Sequence, residues 1–142
     1  MKFFAILLSL FISAPLFASP SVEGLWTTID DNTGKPRGQV ELYRVGDELR
    51  GKVVSIIDPD AKHVCDACPP PFSGKPVQGL EFMWGLKEKE GTWQDGQILD
   101  PKTGDIYKSR VVISDDGQSL DVRGYTGFTL LGRSQTWVRK AQ

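Results

Sequence analysis

Apolar and polar residues alternate over short runs along most of this chain, and the alternation never keeps a helical period of roughly 3.6 residues for more than a turn. Such a pattern predicts strands and almost no helix. Eight are expected: Gly24–Ile29, Gln39–Val45, Glu48–Ile57, Leu80–Leu86, Thr92–Leu99, Ile106–Ser114, Leu120–Tyr125 and Arg133–Arg139. Turn-forming residues separate them, among them Asp31-Asn32-Thr33-Gly34, Gly46-Asp47, Asp100-Pro101-Lys102-Thr103-Gly104 and Asp115-Asp116-Gly117. Links this short favour hairpins between antiparallel neighbours. Eight such strands can close into an up-and-down barrel, which leaves no exposed edge. A β-sandwich would use the same strands with longer crossings, and the single long connection runs from Asp58 to Gly79. The barrel is therefore the expected fold.

The first eighteen residues follow a different pattern. Lys2 precedes a mostly apolar run from Phe3 to Leu16, and a small residue, Ala18, ends it, which is the anatomy of a secretory signal. The run is too short to span a bilayer comfortably, and no other long apolar run follows. The expectation is cleavage after Ala18, giving residues 1–18 as signal peptide and 19–142 as one β-barrel domain in a bacterial periplasm or secreted, with no membrane span.

Charge narrows the partners. Removing residues 1–18 takes one lysine from the 17 basic groups of the chain and leaves its 18 acidic groups, so the remainder carries about −2. Nucleic acid is excluded as a partner, because binding it needs clustered Lys and Arg. A protein of this size forms one core.

Cys65 and Cys68 offer the most visible chemistry. In an oxidising compartment, two cysteines with none left over form a disulfide most simply. Thiol–disulfide exchange is a rival, weakened because Pro69-Pro70-Pro71 forbids the helix that usually follows such a pair. His63 completes at most three metal ligands, where structural zinc takes four, so no metal and no cofactor are expected. No nucleophile–histidine relay suggests itself, since His63 is the chain's one histidine, and the paired aspartates sit in turns. No catalytic residue is assigned, and the chain is not read as an enzyme.

Five pieces of sequence in order carry a family resemblance: Gly24-Leu25-Trp26; Cys65-Asp66-Ala67-Cys68-Pro69; Asp100-Pro101-Lys102-Thr103-Gly104 with Tyr107; Arg123-Gly124-Tyr125-Thr126-Gly127; and Gly132-Arg133-Ser134-Gln135-Thr136-Trp137. Together they resemble the small exported bacterial proteins of domain-of-unknown-function family 2147, whose name assigns no activity. The early Gly-x-Trp with a late Arg is also similar to the calycin superfamily, the lipocalins and fatty-acid-binding proteins. That likeness implies a lipocalin-like barrel closed at one end by a Trp under an Arg, here Trp26 with Arg139 or Arg133.

Alternation places Arg123 and Tyr125 on one face of their strand, and Arg133, Gln135, Trp137 and Arg139 on one face of the next. If these faces point inward, an Arg with a Tyr two residues on resembles the way fatty-acid-binding proteins hold a carboxylate. If outward, the arginines meet solvent or acidic turns while Val122, Thr136 and Val138 fill the core. Trp84 and Phe82 share an expected face, and with Trp93 and Tyr107 they either line an apolar pocket or form the core. The ligand-binding candidates are thus Arg123, Tyr125, Arg133, Gln135, Trp84, Trp93 and Tyr107. The leading expectation is a periplasmic module that binds a small amphipathic or anionic ligand such as a lipid fragment or fatty acid. The alternatives are a ligand-free structural barrel that meets an envelope protein, and a thiol–disulfide redox protein.

Overall fold

Eight antiparallel strands close into a barrel in which each pairs with its neighbours in sequence and the last returns to the first. They are β1 (Gly24–Ile29), β2 (Pro36–Val45), β3 (Glu48–Ile56), β4 (Glu81–Lys89), β5 (Thr92–Leu99), β6 (Ile106–Ile113), β7 (Ser119–Tyr125) and β8 (Gly132–Arg139). The structure is a computed structural model that describes residues 10–16, 19–127 and 132–141. The expected signal segment falls partly outside the described residues, and Lys2 and the cleavage position Ala18 with it.

The inner face of the barrel follows the alternation. Trp26, Val40 and Leu42 on β1 and β2, Leu49 on β3, Leu86 on β4, Trp93 on β5, Val111 on β6, Leu120 and Val122 on β7 and Trp137 on β8 are buried in one continuous apolar cluster. Most of it lies toward the end where tight turns join β2 to β3, β4 to β5 and β6 to β7. That end is sealed. Arg139 lies over the Trp26 ring, its guanidinium carbon 4.2 Å from the ring centroid. The same guanidinium donates hydrogen bonds to the carbonyls of Gly117 at 2.7 Å, Glu23 at 3.2 Å and Ser21 at 2.6 Å. Trp26 Nε1 donates to the carbonyl of Val22, which is buried beneath it. Gly24 opens β1 at φ +126°, and a Cβ there would lie 3.1 Å from Arg139 Nη1, so only glycine leaves the guanidinium its seat.

At the opposite end the links are longer, and residues 57–80 between β3 and β4 dominate it. This loop folds back on the outer wall: Phe72 stacks on Trp84 with ring centroids 5.4 Å apart. Cys65 and Cys68 are joined in a disulfide. Both cysteines belong to the buried cluster, and Ala67 lies so close to Gly104 in the β5–β6 turn that a side chain there has no room.

Register shifts alter the simple alternation, and one of them bears on the expected site. Between Gly51 and Lys52 the pairing of β3 with β4 slips, so that Gly51 faces Met83 and Lys52 faces Glu81, leaving Phe82 as an extra residue. Phe82 turns inward, its ring centroid 6.1 Å from that of Trp137, whereas Trp84 pairs with Gln97 on the outer wall and donates Nε1–H to the Gln97 side chain. The expectation that Phe82 and Trp84 share a face is corrected by this bulge.

Arg50 and Lys52 also lie outside, where Arg50 meets Glu48 at 3.1 Å and Glu81 at 3.5 Å, and Lys52 meets Glu41 at 3.6 Å. Tyr43 donates to Glu81 at 2.6 Å in the same cluster, and burial, reinforced by that carboxylate, pushes its phenol up to about 12.

Candidate functional site

Side chains leave space inside the barrel toward the end opposite the Trp26–Arg139 seal. The space forms a cavity of about 530 Å³, within the ordinary range of ligand pockets, roughly 300–1,000 Å³. Its inner wall is apolar: Val40, Val53, Phe82, Ile98, Val122 and Trp137. Gly124 on β7 adds depth, since the space a Cβ would occupy lies 3.5 Å from Tyr107 Cβ and 3.6 Å from Ile98 Cγ2. Asp58, Asp60, Lys62 and Val77 bring the β3–β4 loop to the cavity, and Asp100, Pro101 and Lys102 bring the β5–β6 turn.

The sequence candidates divide. Tyr107, Tyr125, Arg133 and Gln135 line the cavity. Arg123 does not: it pairs with Ser134 on the outer face of β7 and β8 and donates to its hydroxyl at 3.1 Å. Val122 and Gly124 take the inward positions, so Arg123 and Arg133 stand on opposite sides of the wall, and the shared site expected for them is corrected. Trp84 lies under Phe72 outside the barrel. Trp93 faces inward but belongs to the filled half, where it is buried opposite Val111, so it too leaves the expected site.

Arg133 is already engaged. Its Nε and Nη2 donate to the two carboxylate oxygens of Asp31, each at 2.5 Å, tying β8 to the β1–β2 turn. These bonds hold the Asp31 carboxyl below the usual carboxylate range, against the opposing effect of burial, and Gln135 adds a smaller pull in the same direction. Gln135 also accepts a hydrogen bond from Trp137 Nε1 at 3.1 Å. Sequence reasoning missed Asp31 because it reads as one of several turn aspartates. Its neighbour Asp30 does serve that ordinary purpose, accepting from the N–H groups of Asn32 and Thr33, each at 2.9 Å.

Backbone pairing between β1 and β8 covers only Trp26 with Arg139 and Thr27 with Val138, at the sealed end. Nearer the cavity mouth the two strands are bridged by the Asp31–Arg133 pair instead. Arg37, the other arginine lining the cavity, lies 3.9 Å from Asp30 and 4.0 Å from Asp58.

The remaining chemistry is restricted. Both cysteines of the disulfide are buried, Cys65 at 0% and Cys68 at 6% exposure, which hinders attack by an external thiolate. Joined to each other, they also offer no thiolate to a metal beside His63. Among the described residues no group of three or more His, Cys, Asp or Glu is placed to hold a metal ion, and no helix is long and apolar enough to cross a membrane.

Comparison with known proteins agrees with the geometry. Residues 24–139 match the model of a family described as an uncharacterized protein conserved in bacteria, DUF2147. A search of curated proteins gives no match. Among solved structures, the chain is similar to protein HP1028 from Helicobacter pylori, described as belonging to the lipocalin family. The TM-score is 0.75 at 18% identity, covering 87% of this chain and 85% of that one, a likeness of fold.

Proposed function

The chain belongs to the DUF2147 family of uncharacterised bacterial proteins, and from that membership and its lipocalin-like barrel we propose that it is a binding protein for a small amphipathic molecule such as a lipid fragment. One observation carries the reading. A barrel sealed by side chains at one end encloses, at the other, a cavity with an apolar inner wall and a polar rim. A structural barrel with no ligand would have little reason to leave a cavity of about 530 Å³ between its strands, since cavities reduce stability. Binding needs no catalytic group, and the chain is read as a carrier or sensor rather than an enzyme. The run from Lys2 to Ala18 has the pattern of an export signal, which supports reading this binding as periplasmic or extracellular.

Native mass spectrometry of the protein purified from the periplasm tests the reading. The expected outcome is a co-purifying small molecule released on denaturation. A Val122→Trp variant that fills the cavity should fold and lose that molecule. Retention of the molecule by the folded variant would place binding elsewhere and overturn the proposal.

A further inference from the structure

We infer that the cavity selects an uncharged amphiphile, an alkyl chain ending in a hydroxyl-bearing head, over the carboxylate of the same chain, an inference that rests on the binding role proposed above. The apolar wall accommodates the chain whatever the head, so selectivity falls to the polar groups around the cavity. Both of its arginines are already matched with carboxylates of the protein. Arg133 makes a bidentate pair with Asp31, the very geometry it would offer a ligand's carboxylate. Arg37 lies between Asp30 and Asp58.

An incoming carboxylate would have either to displace Asp31 from the Nε–Nη2 edge or to share the guanidinium with it on the donors that remain. Displacement would exchange one charge-assisted pair for another, and either way the Asp31 charge would be left beside the newcomer. Lys62 is likewise paired, with Asp66 at 2.9 Å. Lys102 is exposed on the β5–β6 turn, and ion pairs formed by such solvated ammonium groups contribute only about 0–1 kcal/mol. Asp58, Asp60 and Asp100 at the same mouth repel a second anion. A hydroxyl meets none of these obstacles and finds neutral partners among the lining residues, the side chain of Gln135 and the phenol of Tyr107, whose oxygen still accepts while it donates to Asp105 at 3.3 Å.

The test is displacement of the uncharged fluorescent probe N-phenylnaphthylamine by decanol and by decanoate at neutral pH. The comparison uses the wild-type protein, Asp31→Asn and Arg133→Met. Decanol is expected to displace the probe from all three. Asp31→Asn, which releases Arg133, should tighten decanoate by at least about tenfold without changing decanol, the scale of one charge-assisted hydrogen bond. Arg133→Met, which leaves the Asp31 charge unpaired beside the cavity, should not tighten decanoate.

Decanoate binding the wild type as tightly as decanol would overturn the inference while sparing the binding role. So would decanoate tightened by Arg133→Met, or decanoate unmoved by Asp31→Asn while decanol still binds. Failure of the probe and both amphiphiles to bind any of the three proteins would instead defeat the binding role itself.

Discussion

At the scale of single residues, Arg139 shows how one side chain can replace a layer of core. Its stem and guanidinium cover the Trp26 ring, while three N–H groups satisfy carbonyls of two separate segments, Ser21 to Glu23 and Gly117. Replacing it by Met keeps the apolar stem but removes the stacking charge and all three donors. The expected loss is about 2–3 kcal/mol of unfolding free energy in urea titration, with Arg139→Lys recovering less than half because an ammonium cannot reproduce the planar fork. A loss within about 0.5 kcal/mol would show that the seal holds without it.

Trp26 could be picked out from the sequence because the likeness to calycins points to it, whereas its partner was left between Arg139 and Arg133, and the structure seats Arg139. The contrast between Arg123 and Arg133 was less accessible. Alternation fixes which residues share a face within a strand but not which face of that strand looks inward. Asp31, the partner that matters most to Arg133, lies 102 positions away and has no local signature.

At the scale of elements, strand positions were legible almost throughout, and β1 and β5 have the expected bounds. Alternating side chains and turn chemistry are local signals, and hairpins need no others. The bulge at Phe82 was not legible, because a register shift is decided by the neighbouring strand. Nor was the course of residues 57–80, whose packing on the outer wall depends on contacts such as Phe72 with Trp84. The Cys65–Cys68 bond fixes this loop. Closing so short a ring removes little chain entropy, so the double variant Cys65→Ala, Cys68→Ala should lose about 2 kcal/mol and still fold as a barrel. Chemical denaturation followed by far-ultraviolet circular dichroism checks both points, and an unfolded variant would mean that the loop holds the barrel together.

At the scale of the whole molecule, the ion pairs and hydrogen-bonded turns set a pH window. Asp30, Asp31, Asp47, Glu48, Asp66 and Asp116 are all held below the usual carboxylate range by the donors they face. A group whose folded pKa is depressed stabilises the fold above its unfolded value and loses that contribution as pH falls. Stability should therefore decline as pH drops below about 4. Tyr43 acts in the opposite sense: its folded pKa, raised to about 12, favours the protonated phenol, so the fold loses stability as pH rises above about 10, where the unfolded phenol ionises. Melting temperatures across this range should form a plateau with both shoulders. Asp31→Asn should lie below the wild type on the plateau and converge with it at the acid end. A constant gap down to pH values well below the carboxylate range would show that the charge of Asp31 contributes nothing.

The seal built on Val22, Trp26 and Arg139 also decides how the protein can be handled. Both the start of β1 and the finish of β8 lie at the sealed end, on the far side of the barrel from the mouth. A tether attached after residue 141 would hold the molecule on a sensor surface with its mouth turned to the solution. A purification tag fused immediately ahead of Ser21 would instead crowd the carbonyl that Arg139 grips, and would weaken the barrel at its sealed end.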